Sequence, residues 1–217
     1  MVSGRKIYKL GDNPNLKLVA NLITFLDGYL AYYFDDPEPF RVKIRAGELG
    51  SDVSREWRSI ERPLLKMAYT VRRIPKVGLY LRLASIMHIL SFVFLIATVV
   101  VAILMSMGYM SIHTIYLFAT SISISSMATI YSMIYRRRMN LEIDKFFKEH
   151  TEKYKFLRAR IKKFTQNLIY TYGYYLRKQG LDPHKKTLSL YNTDYNGIRV
   201  VKRSGLLNKK YTVEVIV

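Results

Sequence analysis

The chain contains no cysteine, which excludes a disulfide framework, thiolate metal sites and a cysteine nucleophile. It is short of acid, with 16 Asp and Glu against 35 Lys and Arg, a formal net charge of +19. The third absence is local: residues 83–135 hold no Asp, Glu, Lys or Arg, in a chain where such residues make up 24%. A core helix of a soluble protein rarely needs more than about 14 apolar residues, whereas a bilayer crossing needs about 20. The run has room for two crossings and a turn. Catalytic signatures are missing as well. Gly47-Glu48-Leu49-Gly50-Ser51 lacks the lysine and the spacing of a phosphate-cradling loop, and there is no His-Glu-x-x-His, no Gly-x-Ser-x-Gly and no aligned carboxylate pair. No enzymatic activity, cofactor or metal is expected.

The uncharged run divides at Met107-Gly108-Tyr109-Met110-Ser111. The first crossing, residues 79–107, is aliphatic enough to insert on its own by hydropathy. The second, residues 111–135, carries nine Ser or Thr and three Tyr, so lipid is a poor solvent for much of its surface and it is expected to face protein. Ser121 with Ser125, and Ala119 with Ser123, form small-xxx-small pairs that let helices approach closely; Ser121, Ser125 and Ala128 are the expected packing residues. His88, about two turns past Arg82, is ionisable inside a crossing and therefore a functional candidate by default. Its expected role is a neutral imidazole bonded to a hydroxyl of the second helix. The hydroxyls also permit a pore, although a pore normally shows a charged ring or a carbonyl filter, and this hairpin has neither.

Arg72, Arg73, Lys76 and Arg82 precede the first crossing, Arg136, Arg137 and Arg138 follow the second, and the connecting turn has no basic residue. Both termini are expected to be cytoplasmic, in the cell membrane, because basic flanks favour that side. No basic, apolar, cleavable segment opens the chain, so no cleavage is expected.

In the N-terminal part, Asn13-Pro14 offers a helix start, and apolar residues from Leu16 to Tyr33 recur at spacings of three and four. This helix is packed, interfacial or a third crossing; Asp27 makes the crossing costly. Asp35-Asp36-Pro37-Glu38-Pro39 is expected to end it, as a solvated acidic turn and not a metal site. Arg41-Val42-Lys43-Ile44-Arg45 alternates and reads as a short strand. From Ser51 or Asp52 a second amphipathic helix carries Val53, Trp57, Ile60, Leu64, Met67, Val71 and Ile74. It is kinked at Pro63, and lies either in the headgroup plane or against the first helix. Pro75 and Gly78 are expected to break the chain ahead of the hairpin.

Between Gly108 and Gly173 there is neither glycine nor proline, so the second crossing is expected to run on as one helix of more than about 60 residues, roughly 90 Å. A heptad follows: Phe147, Tyr154, Ile161, Leu168 and Tyr175 at one seam position; Ile143, His150, Leu157, Phe164 and Thr171 at the other. It serves either a coiled coil or packing against the chain's own N-terminal helices. Most of the charge excess lies here, residues 136–217 holding 20 Lys and Arg against 7 Asp and Glu. Lys145, Lys148, Lys153, Lys155, Arg158, Arg160, Lys162 and Lys163 form an expected binding stripe for an anionic partner. After Gly173 and Gly180, residues 187–191, 198–203 and 211–217 alternate with turn signals between them, with the last strand expected to be tied down at Val217.

The sequence thus describes an α-helical integral membrane protein: a cytoplasmic, mainly helical segment (1–78), a transmembrane hairpin (79–135), a long basic helix (136–180) and a small antiparallel β meander (181–217). The function expected is a non-enzymatic scaffold or anchor whose basic modules bind anionic lipid, an acidic protein or RNA. The alternative is a subunit of a small oligomeric channel or transporter lined by the second crossing, self-associating through that helix or the heptad.

Overall fold

The computed structural model describes residues 6–11, 14–182, 186–203, 205 and 209–216. Asn13, His184, Ser204 and Val217 lie outside them. Within the described residues the chain forms six helices and one three-stranded sheet: α1 (Leu16–Leu30), α2 (Glu38–Arg45), α3 (Gly50–Arg73), α4 (Pro75–Ser106), α5 (Ile112–Glu149), α6 (Thr151–Lys178), β1 (Thr187–Leu190), β2 (Ile198–Lys202) and β3 (Tyr211–Val215). They divide into two compact units, one of residues 1–70 and 147–217 and the other of residues 71–146.

In the first unit α1 starts at Asn15, whose side-chain oxygen accepts from the Leu18 amide at 3.0 Å, an N-cap that satisfies an otherwise orphaned donor. Leu18, Val19, Leu22, Ile23 and Leu26 are buried, and they share one core with Val53, Trp57, Ile60 and Leu64 of α3 and Ile161, Phe164 and Leu168 of α6. The apolar stripes of α1 and α3 are therefore packed inside protein, and α1 is not a crossing. α1 ends at Ala31, ahead of the acidic segment. That segment opens α2 instead: Asp36 Oδ1 accepts from the Glu38 amide at 3.0 Å and Pro39 occupies the first turn, where its missing N–H costs nothing.

The strand expected at residues 41–45 is helix α2. Val42 and Ile44 would share a face in a strand but lie about 200° apart on a helix; Ile44 is 2% exposed and Val42 59%. The single long helix is also corrected, since α5 and α6 are separated at His150 (φ −109°, ψ 26°). The Thr151 hydroxyl donates to the carbonyls of Phe147 (3.2 Å) and Lys148 (2.7 Å), competing with the backbone amides that would continue the helix. Gly78 breaks nothing and Pro75 opens α4. Gly173 lies inside α6, which stops at Gly180 in the left-handed conformation (φ 68°), with the Leu181 amide returning to the Leu176 carbonyl at 2.9 Å.

The sheet is antiparallel but not a meander. Its order is β1-β3-β2, with β3 in the middle. A meander needs a tight β1–β2 hairpin, and the residues after β1 are held elsewhere, on Asp27 of α1. Leu188, Val213 and Val215 join the core, while Thr187 and Ser189 alternate outward. The N-terminal segment is stitched across this unit. The Tyr8 amide donates to Thr171 Oγ1 and the Leu10 amide to Tyr175 Oη, both at 3.0 Å. Gly50 (φ 78°) is required beneath it, because a Cβ there would meet the Lys9 carbonyl oxygen at 2.5 Å.

The second unit contains two helices long and apolar enough to cross a membrane, α4 and α5. Their 32 and 38 residues correspond to roughly 48 and 57 Å at ~1.5 Å per residue, against a hydrocarbon thickness of about 30 Å. The chain turns between them at Gly108 (φ 93°).

Candidate functional site

The hairpin seam is built from small and hydroxyl-bearing residues. Ala84, Thr98 and Val101 of α4 and Ser121, Ser125, Ala128 and Ser132 of α5 are buried, while Phe92, Leu95, Ile96, Val99 and Val100 are about half exposed. Ser125 Oγ donates to the Ser91 carbonyl at 3.0 Å, Ser91 Oγ lies 2.7 Å from Thr129 Oγ1, and Ser132 Oγ donates to the Ala84 carbonyl at 3.1 Å. One level further along, Tyr80 and Tyr135 stack with ring centroids 6.4 Å apart. Ser121, Ser125 and Ala128 all lie buried on one face of α5. His88 is exposed, and Ser91, one turn later, makes the interhelical hydroxyl bonds expected of it. Thr120 and Ser123, on the rest of α5, donate to carbonyls of their own helix at 2.8 Å.

The eight residues of the basic stripe do not form one surface. Lys145 and Lys148 precede the break at His150 and are engaged in interactions of their own. On α6, Arg158 is half-buried with its guanidinium 4.4 Å from the Tyr32 ring centroid, Lys162 pairs with Asp194, and Lys155 lies 3.4 Å from Glu152. At about 100° per residue, Lys153, Arg160 and Lys163 share the face of Phe156, whose ring is 80% exposed. Lys155 and Lys162 lie about a quarter-turn or more away from it. Phe156 was missed in the sequence because it breaks no pattern; its off-seam position in the heptad was the available signal. The seam itself is consumed within the unit: Phe147, Tyr154, Ile161, Phe164 and Leu168 are buried, Thr171 accepts from Tyr8, and His150 is exposed. That leaves no apolar seam for a coiled coil with a second chain.

Asp27 of α1 is fully buried. Oδ2 accepts from the Tyr191 amide and from the Asn192 amide at 3.3 Å, and Oδ1 accepts from Asn192 Nδ2 at 2.7 Å and Tyr195 Oη at 2.8 Å. Burial raises its carboxyl above the usual range, and these donors pull it partly back. Burial also raises the Tyr195 phenol, which sits against the same carboxylate. With every donor directed at it from one loop, the carboxylate works as a clamp between α1 and the chain after β1. Beside it a cavity of about 430 Å³ opens, lined by Asn21, Thr24, Phe25, Asp35, Tyr191 and Lys210 among others. Among the described residues no group of three or more His, Cys, Asp or Glu is placed to hold a metal ion.

No family model, curated protein or solved structure matches this chain.

Proposed function

We propose that the chain is a non-enzymatic membrane anchor: the α4–α5 hairpin crosses the bilayer with both chain ends on the cytoplasmic side, and the basic unit of residues 1–70 and 147–217 engages anionic lipid through α6. The observation that carries this reading is the inverted distribution of polarity in the hairpin. Ser121, Ser125 and Ser132 are inside, with Ser125 and Ser132 bonded across the seam, and the large aliphatic side chains are outside. An apolar surface that extensive is untenable in water and natural in lipid, where helices associate through small residues and interhelical hydrogen bonds.

On α6, an exposed Phe156 shares its face with Lys153, Arg160 and Lys163, and with Glu152 one turn back, which lies 3.4 Å from Lys155. This is the composition of an interfacial contact, the ring entering the acyl boundary and the cations meeting phosphates, each worth roughly 1 kcal/mol near an anionic surface. Support for the channel alternative is thinner. Ser121, Ser125 and Ser132 are turned toward α4, and the outer hydroxyls of Thr120 and Ser123 are satisfied by their own helix.

Because the chain has no native cysteine, single-cysteine labelling tests both halves. Cysteines at Gly108 and near the two termini should show opposite accessibility from the two sides of the membrane; a Gly108 label reached from the cytoplasm overturns the topology. An environment-sensitive dye on Phe156→Cys should shift to the blue with anionic vesicles, weaken with added salt, and weaken again in Arg160→Gln/Lys163→Gln. A dye indifferent to anionic vesicles overturns the lipid contact, and a response to RNA alone replaces lipid with nucleic acid.

A further inference from the structure

Strand β2 is the last strand of the sheet order, so one of its edges has no strand beside it among the described residues. The other outer strand, β1, runs along α1 and buries Leu188 and Leu190; β2 is covered by nothing comparable, with Arg199, Val200, Val201 and Lys202 all exposed. The ladder shows which backbone groups point outward. The Ile216 amide donates to the Gly197 carbonyl at 2.8 Å, and the register continues Ile198↔Val215, Arg199↔Glu214, Val200↔Val213. In an antiparallel pair, hydrogen-bonded and non-hydrogen-bonded positions alternate. Gly197 and Arg199 therefore spend their groups on β3, and Ile198 and Val200 direct theirs to the open edge.

Side chains sort by the same alternation. Ile198 and Val200 lie opposite Val215 and Val213, both fully buried, so they form the rim of the core, and Val200 remains 40% exposed. Arg199 and Lys202 lie on the outer face opposite Glu214 and Thr212, Arg199 pairing with Glu214 at 2.7 Å, with Arg203 next in the chain. The edge is five residues long with a bulge between Val200 and Lys202, and its basic side chains deter pairing with a neutral or basic edge. An acidic strand meets no such repulsion, and unfinished core lies on the other face.

We propose that the β2 edge is a docking site for an extended acidic segment of a partner protein, added as a fourth strand. Its apolar residues complete the core beside Ile198 and Val200, and its alternating carboxylates meet Lys202 and share Arg199 with Glu214. Main-chain bonds supply affinity in such strand addition and alternate side chains supply specificity. A second copy of this chain is a poor occupant, because antiparallel pairing of Ile198 with the other copy's Val200 would set Arg199 against Arg199, and like charges directly opposite are destabilising. The site is separate from the lipid-binding face of α6, so losing vesicle binding through Arg160 and Lys163 leaves it standing.

The test uses the full-length protein in detergent and a short blocked peptide alternating valine and glutamate. The peptide should bind, slow hydrogen exchange at the Ile198 and Val200 amides, and weaken with salt. N-methylation of the peptide amides that face β2 should weaken it about fivefold or more, the equivalent of one or two hydrogen bonds. Val200→Pro, which removes an outward N–H without touching the ladder, should do the same at unchanged thermal stability; if that variant does not fold, the N-methylated peptide decides alone. No binding, equal binding of a valine–lysine peptide, protection elsewhere than β2, indifference to N-methylation, or concentration-dependent pairing of the protein through β2 would each overturn the proposal.

Discussion

The two units are packed in opposite ways. The first buries large apolar side chains, with Trp57, Tyr29, Leu22 and Leu168 at 0% exposure, and pairs buried Asp27 with the loop after β1 and Thr171 with Tyr8, while the indole Nε1 of Trp57 is buried without a hydrogen-bond partner. The second buries Ala84, Ser121, Ser125, Ala128 and Ser132 and leaves Phe92, Leu95 and Val99 outside. Packing in the first unit is driven by removing hydrocarbon from water. In the second, if the hairpin crosses a bilayer as proposed, that driving force is lacking between the helices, and close approach with interhelical hydrogen bonds replaces it. Substitutions of one chemical type should then have different consequences in the two units.

The largest contrast should come from leucine. Leu168→Ala removes a fully buried side chain from the first core and should cost about 2–5 kcal/mol, whereas Leu95→Ala, at 52% exposure, should stay within about 0.5 kcal/mol; thermal melts in detergent compare them. Asp27→Asn comes next. Its amide nitrogen accepts nothing where a carboxyl oxygen, protonated or not, accepts, and the change should cost about 1–3 kcal/mol. Its pH dependence sharpens the point. The carboxyl value is raised by burial, so its contribution is fully present below the ordinary carboxylate value and is lost as pH rises through the raised one. The stability difference between wild type and Asn variant, followed from acid to neutral pH, should fall along that course, and a flat difference would sink the assignment.

In the hairpin the sensitive change is enlargement. Ser125→Leu should overfill the contact with Ser91 at a cost of about 1–3 kcal/mol, and Val100→Leu, pointing outward, should be nearly silent; equal melts for the two would mean that the seam is not where the second unit holds together. At the small end, Lys76→Ala breaks a 3.8 Å pair with Glu142 whose lysine is 67% exposed. It should change stability by about 0–1 kcal/mol.

What was legible in the sequence follows from range. The 3–4 spacing of α1 and α3, the uncharged hairpin and the buried Ser121, Ser125 and Ala128 are local patterns, and each can be read from a few turns of chain. Residues 41–45 misled because five alternating residues fit one face of a strand and one turn of a helix equally well; the deciding signals were upstream, at Asp36 and Pro39. The break at His150 carries no glycine or proline, only a threonine hydroxyl that takes two carbonyls. The Asp27 clamp depends on residues more than 160 positions away in sequence, and the sheet order on β3 pairing past its neighbour with β1; no periodicity reports such pairing. The basic stripe was legible as composition and not as a surface, because Arg158, Lys155 and Lys162 each found a local partner.

The first unit is discontinuous, with its two halves lying on either side of the hairpin. On a translating ribosome, α1 emerges long before α6, the helix that shares its core. At ~5–20 residues per second, the roughly 120 residues between them take about 6–24 s to synthesise. Through that interval Leu18, Val19, Leu22 and Leu26 have no α6 to pack on, while the most apolar stretch of the chain is also being delivered. Maturation of this protein is therefore ordered by its connectivity: the hairpin must be synthesised before the first core can close, and a nascent chain arrested ahead of residue 151 would expose α1 to chaperones and proteases in a way the finished chain does not.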